Sequence, residues 1–183
     1  MRELKHHEKK LLRKVSLYSW KGDTNVRQAS ILRRYHIQDR QDYIAYEKIC
    51  GHVTSLCAKL KTLPADDEFR IQMSDQCLTK LFDLGIIDST SNLEKAETIS
   101  ISMFCRRRLP LIMVRNKMSQ TTKEAITLIE QGHIRVGPNV VTDPAFLVNR
   151  KMEDFTTWVD RSKVRATVLR YNNKLDDFDL GEN

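Results

Sequence analysis

The sequence lacks any run of the ~20 consecutive apolar residues that a membrane-spanning helix requires. Its N-terminus, MRELKHHEKKLLRK, carries charged residues where a secretory signal peptide has a continuous apolar stretch. The four cysteines stand singly in apolar or basic surroundings, so we interpret them as reduced thiols of an intracellular protein. These absences argue against a membrane protein and against a secreted protein stabilised by disulfides.

Sequence signatures of catalysis and of metal binding are also missing. No Ser/His/Asp order, no glycine-rich loop of the kind that cradles phosphates and no pair of carboxylates stands out. His6 and His7 are adjacent rather than at ligand spacing, and Cys50 and Cys57 lie on a helical stripe where small apolar residues belong. The sequence therefore predicts a protein that is not an enzyme and that needs no metal or other cofactor.

Positive charge, by contrast, is in excess and unevenly distributed, with a formal net charge of +7. Residues 1–48 contain 12 Lys and Arg against 6 Asp and Glu, residues 49–102 contain 5 against 8, and residues 103–165 contain 12 against 6. Residues 166–183, with 2 against 4, form a short acidic tail. Basic blocks attract polyphosphates because binding releases condensed counterions, so RNA or DNA is the expected partner. The alternative is a solvated surface that only maintains solubility.

Apolar residues at helical spacing predict several helices in the first half of the chain. The first two, over residues 4–20 and 26–36, are basic and amphipathic, and Lys21-Gly22-Asp23 is expected to end the first. The next two are expected at residues 42–63 and 67–84. Their predicted buried faces are Ala45, Tyr46, Ile49, Val53, Leu56, Cys57 and Leu60 in one helix, and Phe69, Met73, Cys77, Leu81 and Leu84 in the other.

The end of this helical region is marked by local signals. Gly85 is expected to be the left-handed cap of the preceding helix. Residues 86–98 are rich in turn-forming residues and make the best domain boundary in the sequence.

The chain changes character after this boundary. Pro110 suits the first turn of a helix over residues 110–118, and Ser119 is interpreted as the N-cap of a second helix over residues 121–131, with Gly132 as its C-terminal cap. The buried face of the second helix is expected to consist of Ala125, Ile126, Leu128 and Ile129.

Short strands and a final helix are expected to follow. HIRV, the turn GPN and VVTDPAFLV predict two strands around a tight turn, and residues 156–159 predict a third. The last helix is expected at residues 161–175. The predicted fold class is therefore α+β, with a helical N-terminal region, then two helices packed on a short antiparallel sheet, then a C-terminal helix.

This order of elements, with its motifs, resembles the S4 RNA-binding domain. The CRRRLP box leads into the first helix where that family places an Arg-Leu pair, and Gly132 to Gly137 match the corner between the second helix and the first strand. Two positions depart from the pattern: Pro110 stands where many members have Asp, and Gly137-Pro138-Asn139 replaces the usual Asn-Gly turn. We expect domains at residues 1–40 (a basic helical extension), 41–98 (a helical region), 99–160 (the S4 RNA-binding domain) and 161–183 (a C-terminal helix and acidic tail).

The resemblance extends beyond one domain. The opening LKHHEKKLLRKV, the CRRRLP box, EQGHIRVGPNVVTDPAFLVNRKMEDFTTWVD and the final DDFDL together look like the S4-domain proteins of the U3 small nucleolar ribonucleoprotein, a part of the small-subunit processome. The resemblance implies a protein of the nucleus and nucleolus that promotes and holds pairing between U3 small nucleolar RNA and precursor ribosomal RNA. It also implies docking to a scaffold protein of that particle, among other processome proteins.

The residues expected to bind RNA lie around the two helices of the S4-like module and in the basic N-terminus. The start of a helix offers free N–H groups to phosphates, and neighbouring arginines add charge-assisted bonds, so structured RNA is recognised by its backbone. The candidates in the module are Arg106, Arg107, Arg108, Lys117, Ser119, Gln120, Lys123, His133, Arg135 and Arg150. Those in the N-terminal segment are Lys5, His6, His7, Lys9, Lys10, Arg13 and Lys14. The alternative interpretation is a solvated charge run or an exposed helix face, and for His133 a helix cap.

Two other functions are compatible with these patterns. A structural protein of the mature small ribosomal subunit shares the S4 module but usually has long basic tails, whereas this chain ends in an acidic one. A protein adaptor would use the helical pair at residues 42–84 as its interface, although such an apolar stripe is more often core. RNA pairing suits the two basic blocks, because phosphate repulsion is the main cost when two strands meet.

Overall fold

The computed structural model describes residues 2–14 and 22–174, without the side chains of residues 11–14 and 22–25. The chain divides into two compact units, Met1–Arg34 and Tyr35–Asn183. No helix in the described parts of the chain combines the length and the apolar character needed to cross a membrane.

The first unit is helical, with α1 (His6–Lys14) and then α2 (Gly22–Tyr35), whose last residue begins the second unit. The Glu8 carboxylate in the first turn of α1 accepts a 2.9 Å hydrogen bond from the backbone N–H of Lys5, which satisfies one of the donors that a helix start leaves free. The second helix begins at Gly22 rather than at residue 26, whereas the expected end of the first helix at Lys21-Gly22-Asp23 stays a prediction. Residues 15–20 of the predicted first helix lie outside the described residues.

The second unit contains eight helices and three strands among its described residues. In chain order they are α3 (Arg40–Thr62), α4 (Glu68–Asp83), α5 (Leu93–Glu97), α6 (Ile101–Arg106), α7 (Leu109–Arg115), α8 (Thr122–Glu130), β1 (Ile134–Val136), β2 (Asn139–Val140), α9 (Arg150–Glu153), β3 (Thr156–Trp158) and α10 (Lys163–Tyr171). The predicted α+β class, with its helical first half, small sheet and final helix, is confirmed.

The three strands form an antiparallel sheet in the order β2-β1-β3. Arg135 in β1 lies opposite Val140 in β2 and Thr157 in β3. Gly137 and Pro138 connect β1 to β2, and Gly137 has a φ of +61°, as a type II′ turn requires at its first central residue. The third strand thus joins the sheet as expected, whereas the segment VVTDPAFLV contributes only its first residue to β2.

A continuous apolar core holds α7 and α8 against the sheet. Its buried members are Leu109, Ile112, Met113, Ala125, Ile129, Ile134, Val136 and Val148. Burial of one such aliphatic side chain contributes about 1.5–3 kcal/mol, so this cluster is the main source of stability for the S4-like part. The predicted buried face of α8 is confirmed for Ala125, Ile126 and Ile129, and Leu128 is partly buried.

The buried faces of α3 and α4 differ from the predicted ones. α3 buries Tyr46, Cys57 and Leu60 as expected, but Ile49 and Leu56 are exposed. In α4, Phe69 is exposed and the buried residues are Leu78 and Leu81. Periodicity identifies the apolar residues of a helix, but the neighbouring elements decide which side of it is covered.

Two short helices, α5 and α6, were not predicted. α5 packs on α3 and buries Ala96, and α6 buries Phe104 and Cys105. Helices of five and six residues are not stable by themselves, so tertiary packing rather than local propensity forms them. The domain boundaries proposed from the sequence, including the one near residue 98, stay a prediction.

Candidate nucleic-acid interface

The arginine triplet before α7 is split between the surface and the interior. Arg106, the last residue of α6, is exposed. Arg107 and Arg108 retain only 6% and 2% of their accessible surface. The three neighbours therefore cannot act as one RNA-binding group in this conformation.

The Arg107 guanidinium is a structural clamp within the second unit. Its Nε and Nη2 donate to the carbonyl oxygen of Val148 at 3.0 and 2.6 Å, and its Nη1 donates to Glu153 Oε2 at 2.9 Å. The group also lies against Gly85, where an added Cβ would come within 2.9 Å of Arg107 Cζ. Burial and the neighbouring charge of Arg150 lower the pKa of Arg107. Gly85, confirmed as the left-handed cap of α4 with a φ of +74°, is thus required for a second reason.

Arg108 connects the start of α7 to α3. Its Nη1 donates to Asp42 Oδ2 at 2.8 Å and lies 3.4 Å from the Tyr46 hydroxyl, and the Tyr46 ring stacks on Phe104 with centroids 5.7 Å apart. Burial raises the pKa of the Tyr46 phenol, and the adjacent Arg108 charge opposes that rise. The predicted role of Arg107 and Arg108 as direct RNA ligands is not supported, because both guanidinium groups are buried and hydrogen-bonded inside the protein.

The turn between α7 and α8 presents a cation in an unusual backbone conformation. Lys117 has a φ of +59°, and the N–H groups of Lys117 and Met118 donate to Val114 and Met113 at 3.1 and 2.9 Å. This pattern is a Schellman cap, in which the position of Lys117 normally favours glycine. Lys117 is exposed, so the chain keeps a charged side chain at the surface where a glycine would relieve backbone strain.

The N-cap of α8 is Thr121, so the prediction that Ser119 caps this helix was wrong. Thr121 Oγ1 accepts from the N–H of Glu124 at 3.2 Å, and Glu124 Oε2 accepts from the N–H of Gln120 at 3.1 Å. This reciprocal arrangement resembles a capping box and uses the T-x-x-E spacing. Ser119 is buried, and its hydroxyl finds no partner among the described residues. Gln120 and Lys123, on either side of the cap, are exposed.

The corner between α8 and β1 has the expected backbone form. Gly132 has a φ of +74°, and the N–H of His133 donates to the carbonyl of Leu128 at 3.1 Å, so the backbone of His133 completes the cap of α8. The His133 ring shares a 3.0 Å hydrogen bond between its Nδ1 and Ser162 Oγ. His133 is half-buried, and its ring links this corner to the segment before α10.

Arg135 and Arg150 are both engaged within the protein. Arg135 donates to Thr157 Oγ1 at 3.2 Å and to Asp160 Oδ2 at 2.7 Å. Arg150 donates to the carbonyl oxygen of Ile87 at 2.7 Å and lies 4.3 Å above the ring of Phe82. Each keeps about a third of its side chain exposed, so both are positioned by the fold and remain partly accessible.

Arg115 is an accessible arginine of α7 that was not predicted from the sequence. Arg115, in the last turn of α7, is about half exposed and pairs with Glu153, the carboxylate that also binds Arg107. Burial and the charges of Arg107 and Arg150 lower the pKa of Arg115. Its place two residues before Lys117, at the basic end of α7, is the signal from which it could have been predicted.

The predicted residues that stay exposed and unpaired lie at both ends of α7. Arg106 precedes this helix, Lys117 follows it and Lys123 opens α8; none of the three makes an ion pair with another described residue. The seven residues of α7 extend for about 10 Å, so exposed cations precede and follow a short helix. In the first unit the exposed candidates are Lys5, His6, His7, Lys9 and Lys10, whereas the side chains of Arg13 and Lys14 lie outside the described residues.

Comparison with known proteins assigns both parts of the chain. Residues 3–106 match the family model of the ribosomal protein S4/S9 N-terminal domain, and residues 107–154 match the S4 domain. The U3 small nucleolar ribonucleoprotein protein IMP3 of Saccharomyces cerevisiae is 49% identical over 181 residues, covering 98% of this chain and 99% of that protein. Its human counterpart of the same name is 47% identical, with 98% of each chain covered. A more distant relative, the small ribosomal subunit protein uS4 of Picrophilus torridus, is 26% identical over 149 residues, covering 79% of this chain and 80% of that protein.

The similarity to the two IMP3 proteins extends over nearly the whole of this chain and nearly the whole of each relative. The family models agree with it, since together they match residues 3–154. The chain therefore belongs to the IMP3 family of S4-domain proteins.

Proposed function

We propose that this protein is a non-catalytic RNA-binding factor of small-subunit ribosome assembly that acts in the nucleolus. It binds U3 small nucleolar RNA and precursor ribosomal RNA and promotes their base pairing. The observation that carries the proposal is the 49% identity, over 98% of the chain, to a protein named as part of the U3 small nucleolar ribonucleoprotein.

The charges of the described residues support this activity. Arg106, Lys117 and Lys123 are exposed cations without ion-pair partners in the described chain, and the uncharged Gln120 beside them offers hydrogen bonds. Unpaired surface cations bind phosphates at the lowest free-energy cost, because no internal ion pair has to be broken first. They form the RNA-binding surface that we propose for the S4 domain.

The exposed cations of α1 support a role in pairing rather than in simple binding. Lys9 and Lys10 of α1, and Lys5 directly before it, belong to a different unit from the S4 domain. Two basic regions in one chain can each hold a strand and screen the phosphate repulsion between them. We therefore propose that α1 contributes to strand pairing.

The pairing activity is tested by annealing two complementary RNA strands that carry a donor and an acceptor fluorophore, without ATP. We expect the protein to accelerate annealing, with an effect that falls steeply as salt is added, because phosphate contacts release counterions. The variant Arg106→Ala with Lys117→Ala and Lys123→Ala, which lacks the proposed RNA-binding surface, should lose most of this acceleration. Strict dependence on a nucleotide, or no acceleration at low ionic strength, would contradict the proposal.

A second candidate function is that of a structural protein in the mature small subunit. The similarity to uS4 favours it, but at 26% identity rather than 49%. Sedimentation of a cell extract separates the two candidates. We expect the protein in large precursor particles with U3 RNA, whereas accumulation in mature small subunits would favour the ribosomal role.

We further propose that the exposed apolar side chains of α3 and α4 dock a scaffold protein of the same particle. Ile49, Leu56 and Phe69 are exposed by 40%, 39% and 56%, and the seven-residue spacing of Ile49 and Leu56 places both on the same side of α3. Ile49→Asp with Leu56→Asp should remove the protein from U3 particles while RNA affinity of the purified protein is unchanged. Retention in the particle would place the scaffold contact elsewhere.

A further inference from the structure

α10 and its flanking residues carry a strongly basic surface outside the S4-like module. Residues 161–174 contain no Asp or Glu, and their five cations are Arg161, Lys163, Arg165, Arg170 and Lys174. The segment lies beyond residue 154, where the match to the S4 domain ends.

The cations of α10 are concentrated on its outer face. Lys163, Thr167 and Arg170 follow one another at intervals of four and three residues, which places them on one side of α10. Lys174 lies three residues beyond the end of the helix, and all four side chains are exposed. The apolar residues Val164 and Leu169 are only half-buried, and no residue of α10 is fully buried. The outer face thus stays free to bind a partner.

The start of α10 is held beside the sheet by two side-chain contacts. Ser162, directly before the helix, shares its hydrogen bond with the His133 ring. Asp160 pairs with Arg135 of β1 and with Arg165 of α10. One carboxylate is shared by two arginines, so the surface that joins β1 to α10 keeps a net positive charge.

An exposed aromatic ring lies beside these cations. Tyr171 is 88% exposed, and Val168, one turn earlier, is 38% exposed. An aromatic ring among cations suits unpaired nucleotides, because the ring stacks on a base while the cations follow the phosphates. A duplex offers no such free base, so the combination favours a single strand.

We propose that the outer face of α10, with Lys163, Arg170 and Tyr171, forms together with the adjoining Lys174 a second RNA-binding surface, which holds single-stranded RNA next to the RNA bound by the S4 domain. The proposal rests on the RNA-binding function proposed for the S4 domain and extends it beyond the matched module.

The test compares two RNAs by fluorescence anisotropy with the full-length protein: a blunt hairpin, and the same hairpin with a single-stranded extension. Lys163→Ala with Arg170→Ala and Lys174→Ala should weaken binding of the extended RNA about tenfold, with little effect on the blunt hairpin. For the extended RNA, the slope of log affinity against log salt concentration should decrease by about 2. Tyr171→Ala should weaken it about fivefold, whereas Tyr171→Phe keeps the ring and should bind normally.

The matched control removes three exposed lysines elsewhere, Lys48→Ala with Lys59→Ala and Lys80→Ala on α3 and α4, with the same loss of charge. The proposal would be overturned if the α10 triple variant bound both RNAs with wild-type affinity. It would also be overturned if the α10 variant lost no more affinity for the extended RNA than this control variant does. The proposal would also be overturned if polyglutamate displaced the extended RNA as effectively as single-stranded RNA does, because that result would indicate an acidic protein partner. The proposal for the S4 surface is tested separately by Arg106→Ala with Lys117→Ala and Lys123→Ala. If this variant binds the blunt hairpin with wild-type affinity, the proposal for the S4 surface is wrong, whatever the result for α10.

Discussion

In the S4-like part, buried cations stabilise the fold, whereas exposed cations are available to bind RNA. Arg107 and Arg108 are buried with hydrogen-bonded partners, whereas Arg106, their neighbour, and Lys117 and Lys123 are exposed without them. A buried charge is tolerated only when it is paired and hydrogen-bonded, and its removal then leaves the partner unsatisfied. Loss of a buried cation should therefore lower stability, and loss of an exposed one should lower RNA affinity.

The sharpest test of this contrast is Arg108→Ala. Asp42 would lose its partner, and because the Asp42 side chain is a quarter exposed we expect a loss of about 2–4 kcal/mol rather than the full cost of a buried charge. The melting temperature should fall by roughly 5–15 °C, measured by circular dichroism. Arg106→Ala is the control and should melt within 1–2 °C of the wild type, at roughly 0.5 kcal/mol or less. If Arg108→Ala melted normally but lost RNA, Arg108 would be a ligand and the contrast would be wrong.

Removal of the exposed cations should have the opposite signature. For Arg106→Ala with Lys117→Ala and Lys123→Ala we expect RNA affinity to fall about tenfold or more, equivalent to about 1.4 kcal/mol, with an unchanged melting curve. Because each phosphate contact contributes to the salt dependence, the slope of log affinity against log salt should decrease by about 2 to 3. A melting temperature that falls with the affinity would mean that these side chains stabilise the fold.

The start of α8 offers a matched pair of hydroxyl groups. Thr121→Ala removes an N-cap and should cost about 1 kcal/mol of stability. Ser119→Ala removes a buried hydroxyl that has no partner among the described residues, so stability should be unchanged or slightly higher. Chemical denaturation measures both. A loss of RNA affinity in Ser119→Ala with normal stability would instead show that this hydroxyl meets RNA.

The smallest expected effect concerns the backbone at Lys117. Lys117→Gly should raise stability by about 0.5–1 kcal/mol, because glycine adopts the left-handed conformation without strain. The same variant should lose RNA affinity a few-fold, because the charge is gone. Lys117→Asn, which also tolerates this conformation, should lose the same affinity. Equal affinity in all three proteins would show that Lys117 is retained for another reason.

Some parts of the site were predictable because their signals are local. Gly85 and Gly132 adopt the left-handed conformations that their places after α4 and α8 indicated. The alternation of β1 and the apolar spacing of α8 placed both elements in the core. Arg170 and Lys174 were not predicted for a different reason: they fall in residues 166–183, where the acidic tail makes the summed charge negative.

The amino-acid sequence by itself determined the α+β class, the positions of α7, α8 and the small sheet, and, through its motifs, the family to which the chain belongs. The elements were predictable because turns, helix caps and apolar spacing depend on residues that are close together in the sequence. Only the tertiary structure decided which arginines of the triplet are buried. Arg108 pairs with Asp42, 66 residues away, and Arg107 with Val148, 41 residues away. No local sequence pattern predicts pairs that are so far apart in the chain. Whether a cation holds the fold or stays free for a phosphate depends on what the rest of the chain brings next to it.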